Sequence, residues 1–317
     1  MNVSKLVDRC AVIASAFLLI GLSTVSNAQV GYDEVYIFGD SLSDAGNIYQ
    51  LTGETSKAPY AVVPIRPYAI GGHHFSNGKT WAERLAQNLN DNSGGKASLQ
   101  NPGMNGNYAF GGARARSGSG HSPYDSRTQM LTYLEDYGSA SADALYVVQF
   151  GGNDLRDALV AAQSDVNVSL FIIQTAVQDL VDNIQTLYEA GAKNFLVANT
   201  PNLAHAPAVK LSGAAGVAGL FTGLYNGGLE GGLHQLELGI PDINIYRLDM
   251  AGFIDDVVEN PGDFGLVDTD FPCLNFFIES DAKCDNPEDR LFWDGLHPTA
   301  AGHNALSEVA TAVVDGS

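Results

Sequence analysis

Four short, largely apolar runs constrain the fold of this chain more than any other feature. They are residues 35–38 (Val-Tyr-Ile-Phe), 144–150 (Ala-Leu-Tyr-Val-Val-Gln-Phe), 194–198 (Asn-Phe-Leu-Val-Ala) and 243–248 (Ile-Asn-Ile-Tyr-Arg-Leu). Each has the length of a strand, and a strand points successive side chains to opposite faces. The first run, 35–38, has no polar interruption and is therefore expected to have both faces covered, as in a parallel sheet. Between the runs lie segments of helical period. Residues 80–89 place Trp81, Leu85 and Leu89 on one face. Residues 169–190 do the same with Ile172, Ala176, Leu180, Ile184 and Leu187, and Gly191 follows as a C-terminal cap. A Gly/Ala-rich stretch, 214–238, and a last segment, 299–314, complete the set. Strands alternating with helices predict a three-layer α/β/α sandwich around a central, mainly parallel sheet. In such sheets functional groups collect just beyond the carboxyl ends of the strands.

The first residues fall outside this scheme. Lys5 and Arg9 precede an apolar run, 11–22, and small residues stand at Ser26 and Ala28. This is the pattern of a secretory signal peptide, residues 1–28, cleaved after Ala28. The run is shorter than the roughly 20 apolar residues a membrane span needs. One domain, residues 29–317, remains, with no linker or repeat to divide it. The chain is expected to be secreted or periplasmic. Its net charge is −20, and loss of Lys5, Arg9 and Asp8 with the signal makes the mature form −21. Such a surface repels phosphate backbones and argues against a nucleic-acid partner. Of three cysteines, Cys10 leaves with the signal; Cys273 and Cys284 remain and are expected to form one disulfide in an oxidising compartment.

Candidate chemistry lies where the strands end. Ser41, in Phe38-Gly39-Asp40-Ser41-Leu42-Ser43-Asp44-Ala45-Gly46-Asn47, sits on a tight turn after the first run. A hydroxyl so presented is either a nucleophile awaiting a base or the cap of the next helix. In Asp294-Gly295-Leu296-His297-Pro298-Thr299, the carboxylate three residues before His297 can fix the imidazole tautomer, leaving Nε2 to take a serine proton. A surface Asp and a capping His would read the same way. In Gly151-Gly152-Asn153-Asp154, the Asn153 amide can donate to a developing oxyanion, or the four residues form an ordinary turn. Asn107-Tyr108-Ala109-Phe110-Gly111-Gly112-Ala113 sets a glycine pair after a short apolar run.

Taken together, in this order, the four blocks resemble those of the GDSL, or SGNH, hydrolase family. FGDSLSDAGN, NYAFGGA, GGND and DGLHPTAAGH stand for its successive motifs, and FSNGKTWAE (residues 75–83) matches a stretch common among its secreted bacterial lipases, haemolysin-like phospholipases and autotransporter esterases. The resemblance covers residues 32–303 and implies the flavodoxin-like SGNH fold. It implies Ser41 as nucleophile, His297 as general base and Asp294 as the group orienting it. The oxyanion hole would comprise the backbone N–H groups of Ser41 and Gly112 and the Asn153 side chain; Gly111, beside Gly112, is equally a glycine. Asp40 and Asp154 read as structural, and Asp44, Asn47 and Asp157 as turn and cap residues.

The function expected is hydrolysis of carboxylic esters, with a small-molecule or lipid ester as partner and room for transient contact with membrane lipid. Acyl transfer by the same mechanism and a non-catalytic secreted binding module are the alternatives. With only 20 residues after His297, an outer-membrane β-barrel is not expected. No cofactor and no metal are expected. His73 and His74 are adjacent and lack a third ligand, and the acidic loop containing Asp263, Asp268, Asp270, Asp281 and Asp285 lacks EF-hand spacing. Residues 72–80 miss the spacing of a phosphate loop, and neither Gly-x-Ser-x-Gly on a strand-to-helix turn nor His-Glu-x-x-His occurs. Phe110 and Phe276-Phe277-Ile278 read as pocket wall or core.

Overall fold

A computed structural model describes residues 31–53, 73–118, 124–274 and 284–316. In chain order its elements are β1 (Val35–Gly39), α1 (Asn47–Thr52), α2 (Trp81–Asn88), α3 (Ser126–Tyr137), β2 (Leu145–Gln149), α4 (Gly152–Ala161), α5 (Val166–Glu189), β3 (Asn194–Ala198), α6 (Pro207–Leu211), α7 (Ala215–Gly239), β4 (Asn244–Leu248), α8 (Met250–Glu259) and α9 (Ala300–Asp315). The signal segment, Phe276-Phe277-Ile278 and Asp281 lie outside the described residues.

The four strands are those the apolar runs predict, within a residue or two at each end. They pair in the order β1-β2-β3-β4, all parallel, with Phe38, Val148, Val197 and Arg247 in register. The outer edge of β1 is occupied as well. Ile37 N donates to Gly106 O, Tyr108 N to Ile37 O and Phe110 N to Gly39 O, so the segment 106–110 runs alongside β1 as a partial fifth strand. This fixes the Gly111–Gly112 pair at the end of β1, level with Ser41.

Both faces of the sheet are covered. Tyr36, Phe38, Tyr146, Val148, Phe195 and Val197 point into a core shared with α3, α4, α5 and α7. Val35, Ile37, Leu145, Val147, Leu196 and Ala198 point the other way, into a core shared with α2, α8 and α9. The first core is aromatic: the Tyr36 ring lies 4.6 Å from Tyr133 and 5.6 Å from Tyr146. Contacts of this kind are worth about 0.5–1.5 kcal/mol beyond area burial. The chain is thus a three-layer α/β/α sandwich, and the mainly parallel sheet expected is wholly parallel among its four strands.

Helix ends follow their caps. Thr80 and Glu83 form a reciprocal capping box that starts α2 at Trp81. Thr299 caps α9, and Asp165 caps α5 three residues earlier than the apolar period suggests. Gly191 follows α5 with φ 124°, a conformation L side chains avoid, and a Cβ there would lie 2.4 Å from Ala140 O. Helices α3, α4 and α8 are absent from the sequence pattern. Gly151-Gly152-Asn153-Asp154 reads as a turn, but only Gly151 turns (φ 126°), and α4 starts at the next residue.

Candidate active site

Ser41 follows β1, on a loop pinned from below. Asp40 is 2% exposed, and its Oδ1 accepts from Leu42 N at 3.0 Å. Burial pushes its pKa up to about 6, with the Leu42 hydrogen bond opposing. The β1 terminus is held by Gln129, whose side-chain amide both donates to Gly39 O (2.8 Å) and accepts from Gly39 N (2.9 Å). Gly39 itself has no room for a larger residue, since a Cβ would come within 3.0 Å of Gln149 O.

Asp294 and His297 share a loop whose own hydrogen bonds set its shape. Asp294 Oδ1 accepts from Leu296 N (2.7 Å) and His297 N (2.8 Å). Its Oδ2 lies 2.7 Å from His297 Nδ1, and His297 Nε2 lies 2.8 Å from Ser41 Oγ. Asp294 is 2% and His297 8% exposed, which strengthens both contacts. The Phe75 ring stands 5.3 Å from the imidazole and fills the space behind it. The block containing Phe75 is bound to the last helix throughout. Ser76 Oγ donates to Pro298 O (2.8 Å), Ala300 N donates to Asn77 Oδ1 (2.7 Å), and Trp81 N donates to His303 Nδ1 (3.2 Å). His303 is 1% exposed, and burial, followed by the charge of His297, lowers its pKa to about 3. It is a neutral acceptor.

The glycine pair and Asn153 complete the surroundings of Ser41. Gly111 N donates to Asp44 Oδ2 at 2.8 Å. Gly112 has φ 78°, and its N–H donates to no other described residue. The same holds for Ser41 N. Asn153 Nδ2 donates to Ala113 O at 3.0 Å, which sets the amide beside the glycine pair and leaves its second hydrogen unspent. All five expected site residues therefore sit at the carboxyl end of the sheet. Of the two glycines, Gly111 has its N–H committed and Gly112 does not.

Several residues read only as turns and caps tie distant segments together. Asp44, 1% exposed, accepts from Gly46 N, Asn47 N and Ile48 N as a cap would, but also from Gly111 N. Burial raises its pKa to about 6 against those four donors. Asn47 Nδ2 donates to Asn107 O and Ala109 O, and Asn107 Nδ2 donates back to Ser43 O. Asp157 is bidentate to Arg114 and also meets Arg116, which reaches Asp154 at 2.8 Å. Asp154 also accepts from Ala115 N, and burial raises its pKa against the Arg116 contact. This ion network fixes the segment after Gly112 to α4. Sequence spacing gives no sign of these pairings, because the partners are 38–67 residues apart.

The other residues singled out in the sequence have the following surroundings. Phe110 is core, stacked on Tyr124 at 3.9 Å. His74 lies 2.8 Å from Glu83 Oε2, and His73 stacks on Tyr49. Asp268 pairs with Arg290 and Asp270 with Lys210. Among the described residues no group of three His, Cys, Asp or Glu converges as a metal set would. Cys273 and Cys284 are joined, with sulfurs 2.10 Å apart.

A serine, a histidine and a carboxylate in one hydrogen-bonded chain at the carboxyl end of a parallel sheet is an arrangement that α/β serine hydrolases share, peptidases and esterases alike. Residues 35–310 match the GDSL-like lipase/acylhydrolase family. A GDSL esterase/lipase of Arabidopsis thaliana is 24% identical over 92% of this chain and 90% of its own. The thermolabile hemolysin of Vibrio parahaemolyticus is 25% identical, and Lipase 1 of Photorhabdus luminescens 24%. This chain spans 62% and 54% of those two proteins. The chain belongs to the GDSL lipase/acylhydrolase family and is a carboxylic ester hydrolase.

Proposed function

We propose that Ser41, His297 and Asp294 act as a catalytic triad on carboxylic esters, with lipid, lysophospholipid or short-chain acyl esters as substrates. The observation that carries this reading is the continuous chain from Asp294 Oδ2 through both imidazole nitrogens to Ser41 Oγ, with steps of 2.7 and 2.8 Å. Asp294 keeps the proton on Nδ1, so Nε2 accepts the Ser41 proton as Oγ attacks the ester carbonyl. The tetrahedral oxyanion is met by the N–H groups of Ser41 and Gly112 and by the Asn153 amide. His297 returns the proton to the leaving alcohol, giving the acyl-enzyme, and water repeats the cycle to release acid. The choice of Gly112 over Gly111 rests on the commitment of the Gly111 N–H to Asp44.

We also propose that residues 1–28 are a signal peptide and 29–317 the single mature domain, exported to the periplasm or beyond. The Cys273–Cys284 pair suits that oxidising compartment. Among the described residues no helix is long and apolar enough to cross a membrane.

The test is hydrolysis of p-nitrophenyl esters from acetate to palmitate, alongside fluorophosphonate labelling and Ser41→Ala. Activity and labelling that both vanish in Ser41→Ala support the triad, and the chain-length optimum separates esterase from lipase. A wild type inert to every ester and to fluorophosphonate overturns the reading in favour of a binding module. N-terminal sequencing of the exported protein tests the cleavage, with Gln29 expected first.

A further inference from the structure

Helices α5 and α7 lie side by side and in step. A Cβ on Gly228 would rest against Val177 and one on Gly232 against Val181. The same offset brings Val217 level with Val166 at the amino-terminal ends. In a parallel α/β sheet those ends belong to the edge that carries Ser41. The short helix α6 joins this end to the site directly. Ala208 N donates to Gly295 O at 2.9 Å, inside the loop that carries Asp294 and His297.

This end of the molecule is apolar and exposed. Leu220 is 61% and Leu224 45% exposed on α7, and Phe171 is 68% exposed on α5. Leu211, at the end of α6, is 70% exposed. Every exposed residue of α7 from Gly216 to Gly228 is glycine, valine or leucine. No charged residue occurs in 166–178 or in 211–229, in a chain of net charge −20. The exposed glycines Gly216, Gly223 and Gly227 have nothing within 4 Å of a Cβ position. Each weakens an exposed helix relative to alanine without any packing reason inside the fold.

We propose that this face docks on a neutral or zwitterionic lipid surface and so presents the Ser41 site to esters held there. A large exposed apolar patch marks an interaction surface. A protein partner would call for hydrogen bonds to fix its register, about one per 100–200 Å² of interface. The exposed side chains of α7 between Gly216 and Gly228 offer none, and a fluid lipid surface requires none. A second copy would bring another strongly negative charge against the first, and an anionic membrane would do the same. Zwitterionic or neutral lipid is the occupant the charge allows. What docking is for rests on the ester-hydrolase reading; whether the face binds lipid does not.

The experiment separates the two. Ser41→Ala is floated with phosphatidylcholine vesicles, alone and with Leu220→Glu/Leu224→Glu or, on neighbouring elements, Phe171→Glu/Leu211→Glu. The parent is expected to float and both charged pairs to stay behind. In the Ser41-bearing chain, each pair should keep p-nitrophenyl acetate hydrolysis within about twofold and lose about tenfold or more on p-nitrophenyl palmitate carried in the same vesicles. Vesicles that never capture Ser41→Ala, or charged pairs that float undiminished, overturn the proposal. So does a wild-type dimer in light scattering that Leu220→Glu/Leu224→Glu makes monomeric, since a second copy would then cover the face. Flotation of Ser41→Ala beside a wild type that hydrolyses no ester leaves docking standing and removes the ester reading alone.

Discussion

The loop that carries His297 and the loop that carries Gly112 meet at the same serine, yet they are built in opposite ways. The first is local. Asp294 binds the backbone of Leu296 and His297 with one oxygen and the imidazole with the other, all within three residues. The second is assembled from afar. Gly111 is held by Asp44, Ala113 by Asn153, and Ala115 and Arg116 by Asp154. Hydrogen-bond geometry contained in one turn survives small shifts of the surrounding fold. Geometry assembled across 38–67 residues depends on the sheet being fully formed. The two halves of the site should therefore fail differently under mutation.

The local half should show the larger single loss. Asp294→Asn places an amide where the proposed triad has its carboxylate, and kcat is expected to fall by about 10⁴-fold with little change in KM. Steady-state kinetics on p-nitrophenyl butyrate measures it, and a loss under tenfold would break the triad assignment. Asn153→Ala removes one of the proposed oxyanion donors and should lower kcat by about 10²–10³-fold. Fluorophosphonate labelling of this variant sharpens the comparison: an amide that only braced Ala113 would change stability and leave the rate per folded molecule intact.

The same contrast decides what the sequence reveals. Ser41, Asp294 and His297 are legible because each sits in a short motif and the four motifs occur together in the family's order, although each motif alone reads equally well as a turn or cap. The inner strands are legible because burial on both faces leaves a nearly unbroken apolar run, while β4, at the edge, keeps Asn244 exposed and Arg247 partly exposed. Helix α4 is hidden, because Gly151-Gly152-Asn153-Asp154 has turn composition and only the positive φ at Gly151 is turn-like. Helix α3 is hidden because its buried set includes Ser126 and Gln129 beside Met130 and Tyr133, which blurs the apolar stripe. The cradle is least legible of all. Asp44 and Asp157 look like ordinary capping acids, and only tertiary packing makes one a ligand of Gly111 and the other a partner of two arginines.

A smaller effect probes where the two halves touch. A Cβ on Gly111 would lie 2.3 Å from the Phe75 ring, and that ring stands 5.3 Å from the His297 imidazole. Gly111→Ala should cost about 1–3 kcal/mol of stability by overpacking. It should also lower kcat, because the ring that moves is the one behind His297. Phe75→Leu in the Gly111→Ala background makes room and should recover part of both. A double-mutant cycle in denaturant measures the coupling. Strict additivity would mean that the glycine loop and the histidine loop are independent after all.

The smallest effect is a pH dependence of stability at the seam between α2 and α9. His303 accepts from Trp81 N and is held neutral, its pKa lowered to about 3 by burial. In the unfolded chain it takes a proton near pH 6.5. Between those values the unfolded state binds the extra proton, so this residue's contribution is intact above about pH 6.5 and is lost progressively as pH falls toward 3. Asp40 and Asp44, raised to about 6, act in the other direction: the folded state holds their protons more tightly, so their contribution grows as pH falls through 6 toward 3.8. His303→Gln keeps an acceptor for Trp81 N and removes the titration. Its stability relative to wild type should therefore rise as pH falls from 6.5, by at most about 1.4 kcal/mol per pH unit. Urea melts of the two proteins at pH 7, 6 and 5 measure the difference directly. A difference that stays flat across that range would mean that His303 accepts protons in the folded state, and that the seam behind the His297 loop opens to water.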